Sequence, residues 1–241
     1  MILGAGTLAQ SSFAAVVVGL PALAPVLRSQ YHLSLAQIGV VLGAVSLGML
    51  PMFLPWGLLA DRVGERVVMA FGLAGAGVTV AAVPLAHGFG WLVGLLVLAG
   101  ALGASINAAS GRAVMGWFAA DQRGLALGIR QTAVPIGGAL SASVLPWLAS
   151  SGETRNAFLA LGAFCVAAAA VAALLMREAP AHRDAVLAEP GRPFRELNNW
   201  LLAGGSGMFV VAQIALTNYP VLFLHQHRGL STHSSALTLA V

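Results

Sequence analysis

The sequence has little charge and no lysine: 241 residues contain eight acidic and twelve basic side chains, and every basic one is arginine. Soluble domains carry roughly 25% charged residues, so 8% charge beside 59% hydrophobic residues excludes a water-facing surface. Cysteine is almost missing as well. Cys165 stands alone in an apolar run, which excludes a disulfide framework and a thiolate metal site. The net charge of +4 does not amount to a nucleic-acid footprint, because the arginines are scattered through short stretches between apolar runs. The first apolar run starts at Met1 with no basic segment ahead of it, so no cleavable leader is expected.

What the chain has instead is a series of apolar runs of about 20 residues, each long enough to cross a hydrocarbon core of about 30 Å. The expected spans are about Leu3 to Leu27, Ser34 to Leu59, Val67 to Ala86, Trp91 to Phe118, Leu125 to Ala149 and Asn156 to Met176. Ser34 with Gln37 forms a capping-box pattern at the start of the second span, and Pro51 and Pro55 are expected to kink it. A polar stretch, 177–196, follows as a central cytoplasmic loop. A seventh span, about Leu197 to Leu224, and an eighth starting at Ser231 come after it, and the eighth is expected to be cut off at Val241. The fold class is therefore all-α integral membrane: a six-span bundle over 1–176, the loop, and the start of a second bundle over 197–241.

With the amino terminus in the cytoplasm, Arg62, Arg66, Arg123, Arg177, Arg183, Arg192 and Arg195 lie inside, against Arg28, Arg155 and Arg228 outside. That asymmetry satisfies the positive-inside rule. Arg112 and Arg130 fall within spans. All eight acids map to loops or helix ends, so Arg130, about 10 Å deeper than Arg123 along the fifth helix, has no obvious carboxylate partner. Two readings stay open for Arg112 and Arg130: an anionic solute is the missing partner, or the guanidinium groups snorkel to the surface or bond Asp61 or Asp121.

The densest charge is in Gly57 to Arg66, where Asp61, Arg62, Glu65 and Arg66 fall between two apolar runs and Gly57 and Gly64 suit a tight turn. A weak internal repeat at an offset of 197 residues lays Leu27–Val41 over Leu224–Thr238, each joining the first two spans of a block. Such parallel repeats are a transporter architecture.

Together these features resemble the major facilitator superfamily (MFS) of secondary transporters. That family's signature between spans 2 and 3 is roughly Gly-x-Leu-Ala-Asp-Arg-x-Gly-Arg-Arg. Gly57, Leu59, Ala60, Asp61, Arg62, Gly64 and Arg66 match it, and Glu65 stands at a usually basic position. Gly128 to Gly138, which includes Gln131, looks like a degraded Gly-Pro-x-x-Gly-Gly motif with Val134 in place of glycine, and Asp121 to Gly124 is similar to the family's loop between spans 4 and 5.

The resemblance implies a gating role for Gly57, Asp61, Arg62, Gly64 and Arg66; the alternative is that the arginines only anchor topology. It also implies that spans 1, 4 and 7 line a cavity. Gln10, Asn107, Gln213 and Asn218 thereby become candidate solute contacts, with Arg112, Arg130 and Gln131 beside them, unless these groups serve only as interhelical hydrogen bonds. Gly100, Gly103 and Ala104 are read as close packing.

No metal, no cofactor and no enzymatic constellation is expected: no span carries a paired carboxylate or a His-x-x-x-His, and the serines in the spans lack a nearby histidine. The expected activity is alternating-access transport of a small solute, favouring an organic or inorganic anion, with or without a coupling ion. The expected setting is the bilayer of a bacterial plasma (inner) membrane, as a multi-pass protein that is monomeric at full length. The competing expectation is a truncated, non-transporting membrane protein or sensor of the same fold.

Overall fold

The computed structural model describes residues 2–150, 152–176, 196–218, 223, 224 and 228. Among them every regular element is helical, as a chain in hydrocarbon must be if each segment is to satisfy its own backbone hydrogen bonds. The elements are α1 (Ile2–Gln30), α2 (Leu35–Val63), α3 (Glu65–Ala82) with a 3-10 turn at Val83–Leu85, α4 (Phe89–Trp117), α5 (Arg123–Gln131), α6 (Ala133–Leu148), α7 (Arg155–Leu175) and α8 (Leu197–Asn218). Five segments are long and apolar enough to cross a membrane: α1, α2, α3 with its turn, α4 and α7.

The capping box is present. Gln37 donates its backbone N–H to Ser34 Oγ at 3.2 Å, and Ser34 N–H donates to Gln37 Oε1 at 2.9 Å. Pro51 and Pro55 are carried inside α2 without interrupting it, as Pro21 and Pro25 are inside α1.

The expected single fifth span is instead broken at Thr132 into α5 and α6. Pro135 has no N–H to offer the carbonyl of Gln131, and Thr132 ties off the end of α5. Its N–H is shared by the carbonyls of Gly128 and Ile129, and its Oγ1 donates to Ile129 O at 2.7 Å. The central loop, the eighth span and the second copy of the repeat lie almost entirely outside the described residues.

The principal contacts pair α2 with α4, α3 with α7 and α1 with α6. Helix α1 is the hub, since it also touches α2, α4, α5 and α7, and Ala9, Val16, Leu20 and Leu23 on it are fully enclosed. Lipid is as apolar as leucine, so these contacts rest on close backbone approach at small residues. A Cβ on Gly48 would collide with the Val97 carbonyl, and one on Gly100 with the Val45 carbonyl, so α2 and α4 meet backbone to backbone. Helix α8 packs on α1 and is otherwise exposed along its described face.

Candidate functional site

Arg130 lies in the last turn of α5, where the break at Thr132 ends the helix beside α1 and α4. Its guanidinium makes no ion pair among the described residues. Nη1 donates to Gln10 Oε1 on α1 and to Ser110 Oγ on α4 at 3.0 Å, and Nη2 donates to Gln131 Oε1 at 3.3 Å. Ser110 Oγ also donates to Gln10 Oε1 at 3.1 Å, and Gln10 Nε2 donates to Asn107 Oδ1 at 3.3 Å. Asn107 and Ser110 are three apart on α4 and so share one helix face. Gln10 is 5% and Ser110 1% exposed, whereas Arg130 is half-buried and Asn107 and Gln131 are exposed, so the cluster runs from the packed interior of the bundle to an open face.

Every acceptor in this network is neutral, which leaves the arginine's charge uncompensated by any described side chain. The buried Nε has no hydrogen-bond partner. Beside the network is a cavity of about 110 Å³ whose lining includes Gln10, Asn107, Phe13, Met49 and Val134. Gln10 belongs both to this lining and to the Arg130 network, and a cation fixed by neutral acceptors retains the capacity to pair with a small anion.

Of the candidate solute contacts, Gln10, Asn107, Arg130 and Gln131 are thus brought together. Gln10 makes interhelical hydrogen bonds, and these also orient the guanidinium. Gln213 is exposed on α8, and the side chains of Arg112 and Asn218 lie outside the described residues. Arg130 bonds neither Asp61 nor Asp121. Ser110 was missed by sequence reasoning, and its signal was available: it follows Asn107 by one helical turn on a span already marked for the cavity.

The second charged region is the junction of α2 and α3. It is narrower than the expected loop, for only Gly64 separates the two helices, at φ 89°. Glycine takes that left-handed conformation without a Cβ penalty. Gly57, expected to help make the turn, is inside α2 with open space where a Cβ would stand. Asp61 and Arg62 belong to the last turns of α2, both exposed. Glu65 opens α3, where a carboxylate faces the positive end of the helix dipole. That gives the departure from the family pattern a local physical reason. Arg66 Nε donates to the carbonyl of Ala173 at 2.6 Å, tying the start of α3 to the last turn of α7.

The Major Facilitator Superfamily profile matches residues 6–241. The chain belongs to that superfamily. It is 34% identical over 245 residues to an uncharacterized MFS-type transporter of Mycobacterium tuberculosis, covering 100% of this chain and 54% of that protein. A hexuronate transporter of Bacillus subtilis is 26% identical over 136 residues, 56% of this chain and 32% of its own length. A probable sulfoacetate transporter of Cupriavidus necator is 29% identical over 170 residues, 69% of this chain and 39% of its own. The MFS chain thus spans about half the length of the curated relatives it matches. Its fold is similar to the inward-facing crystal structure of a bacterial homolog of the human lysosomal transporter Spinster, with a TM-score of 0.81 at 21% identity, over 98% of this chain and 56% of that one.

Proposed function

We propose that this chain supplies the first six-span half, over 1–176, of a secondary transporter that moves a small organic anion across a bacterial plasma membrane by alternating access. In this reading 177–196 is the cytoplasmic link and 197–241 begins the second half. The observation that carries it is Arg130, a half-buried cation between α1 and α4 whose hydrogen-bond partners are all neutral. A charge drawn partly out of water without a counter-charge is unfavourable, and an anionic solute supplies one. Two relatives bear names, hexuronate and sulfoacetate transporter, that denote anionic solutes. The neutral frame of Gln10, Ser110 and Asn107 orients the guanidinium without cancelling its charge. In the same reading Asp61, Arg62, Gly64 and Arg66 act at the cytoplasmic edge as the element that holds one access state.

The test is uptake into proteoliposomes by the protein at the full length of its relatives, with glucuronate, sulfoacetate and glucose as probes. Saturable uptake of an anion, but not of glucose, is expected. Arg130→Gln lowers anion uptake at least tenfold, a modest part of the 2–5 kcal/mol by which loss of a buried charge partner commonly weakens binding. Uptake that ignores solute charge, or that survives Arg130→Gln, would reject the anion reading.

A further inference from the structure

On the outer flank of the bundle, away from Arg130, α3 and α7 enclose an open groove of about 610 Å³. Its floor is alanine, including Ala70 and Ala74 from α3 and Ala170 and Ala173 from α7, and Phe71 and Val166 rise beside it. At its deep end the two helices close up: a Cβ on Gly77 would lie 2.8 Å from the Gly162 carbonyl oxygen, so the backbones touch there. At its other end stands Arg66, at the face where the arginines accumulate. Arg66 uses Nε on the Ala173 carbonyl, and neither of its terminal nitrogens makes a hydrogen bond among the described residues.

From Arg66 to Ala74 the groove runs eight residues along α3, about 12 Å at 1.5 Å per residue. One leaflet of hydrocarbon is about 15 Å deep. The groove therefore starts at the charged surface and ends near the midplane, with one cation at the mouth and nothing charged within. Phe71, 68% exposed, presents its ring outward along this flank.

We propose that this groove is a binding site for an anionic phospholipid. The headgroup phosphate takes the free guanidinium nitrogens of Arg66, and one acyl chain lies on the alanine floor as far as the Gly77–Gly162 crossing. Charge complementarity selects the occupant: a zwitterionic lipid fills the groove equally well but brings no net charge to Arg66, and an apolar helix from a second copy of the chain leaves Arg66 unanswered. A bound lipid bridges α3 and α7 at the end where Arg66 already joins them. The site thereby makes the α2–α3 junction responsive to lipid composition.

The experiment is native mass spectrometry of the chain purified in micelles doped with equal amounts of phosphatidylglycerol and phosphatidylcholine. The wild type should retain one phosphatidylglycerol in about fivefold preference, the equivalent of about 1 kcal/mol for one basic residue at a membrane surface. Arg66→Gln should erase the preference and Arg66→Lys should keep most of it. Ala170→Leu, which fills the floor without touching charge, should lower retention of both lipids. Equal retention of the two lipids by the wild type would overturn the proposal, as would an undiminished preference in Arg66→Gln. A lipid-free dimer would overturn it too, by giving the groove to a second copy. If Ala170→Leu does not yield a monodisperse protein, the two Arg66 variants decide the matter alone.

Discussion

Arg130 and Arg66 are the same side chain placed in two environments, and the contrast separates what a membrane protein can do with a cation. Arg130, half-buried, is held by side chains from α1 and α4 and by its own neighbour Gln131, all of them neutral. Arg66 is at the rim and uses one nitrogen on a helix-end carbonyl, which carries the negative end of the α7 dipole. The α5 site fixes its cation in place with neutral groups while leaving its charge unanswered by any described side chain. The rim site answers part of its charge through the fold itself and leaves the remainder facing the membrane surface.

The largest expected effect comes from exchanging the roles. Arg130→Gln should lower anion affinity tenfold or more, whereas Arg66→Gln, which acts only through the balance of access states, should change it less; equal losses in an equilibrium binding assay would erase the distinction between the two sites. Next is the frame around Arg130. Gln10→Leu leaves Arg130 Nη1 and the Ser110 hydroxyl without their shared acceptor, and should cost about 1–3 kcal/mol of stability, read as a lower midpoint of thermal unfolding in detergent. A double-mutant cycle with Arg130→Gln should show coupling above about 0.5 kcal/mol; additive effects would mean that Gln10 does not position the guanidinium.

A comparable loss is expected at the crossing that closes the outer groove. Gly77→Val should destabilise by about 1–3 kcal/mol through overpacking against Gly162 and Val166, and a variant as stable as the wild type would show that α3 and α7 do not meet there. The smallest effect belongs to Ser105, whose buried hydroxyl on α4 has no hydrogen-bond partner. Ser105→Ala should be neutral or stabilising by about 1 kcal/mol, with uptake unchanged. Lost uptake would give that hydroxyl a part in transport, which an orphan in the packing between α3 and α4 lacks.

Much of the fold was legible because the bilayer reduces the problem to length, hydropathy and the ends of helices. The first four spans and the sixth appear close to their expected limits, and the Ser34 capping box makes both of its bonds, since each depends on residues within a few positions of one another. The fifth span was not legible in the same way. Proline occurs inside α1, α2 and α6 without ending them, so Pro135 alone did not announce a break. What differs is Thr132, whose N–H and hydroxyl close off α5 before the ladder resumes. The junction at Gly64 was also read too broadly, because Gly57 matches a motif position yet lies within a helix that continues past it.

By itself the sequence determined that the chain is helical and membrane-spanning, where its cations lie along each helix, and that no acid accompanies Arg130 within the spans. Those are properties of composition and of a 1.5 Å rise per residue. Only the tertiary structure decided what answers each arginine. Gln10 and Arg130 are 120 residues apart, and Arg66 and Ala173 are 107 apart. Their meeting depends on which small residues allow which helices to touch, and packing of that kind leaves no periodic trace along a single chain.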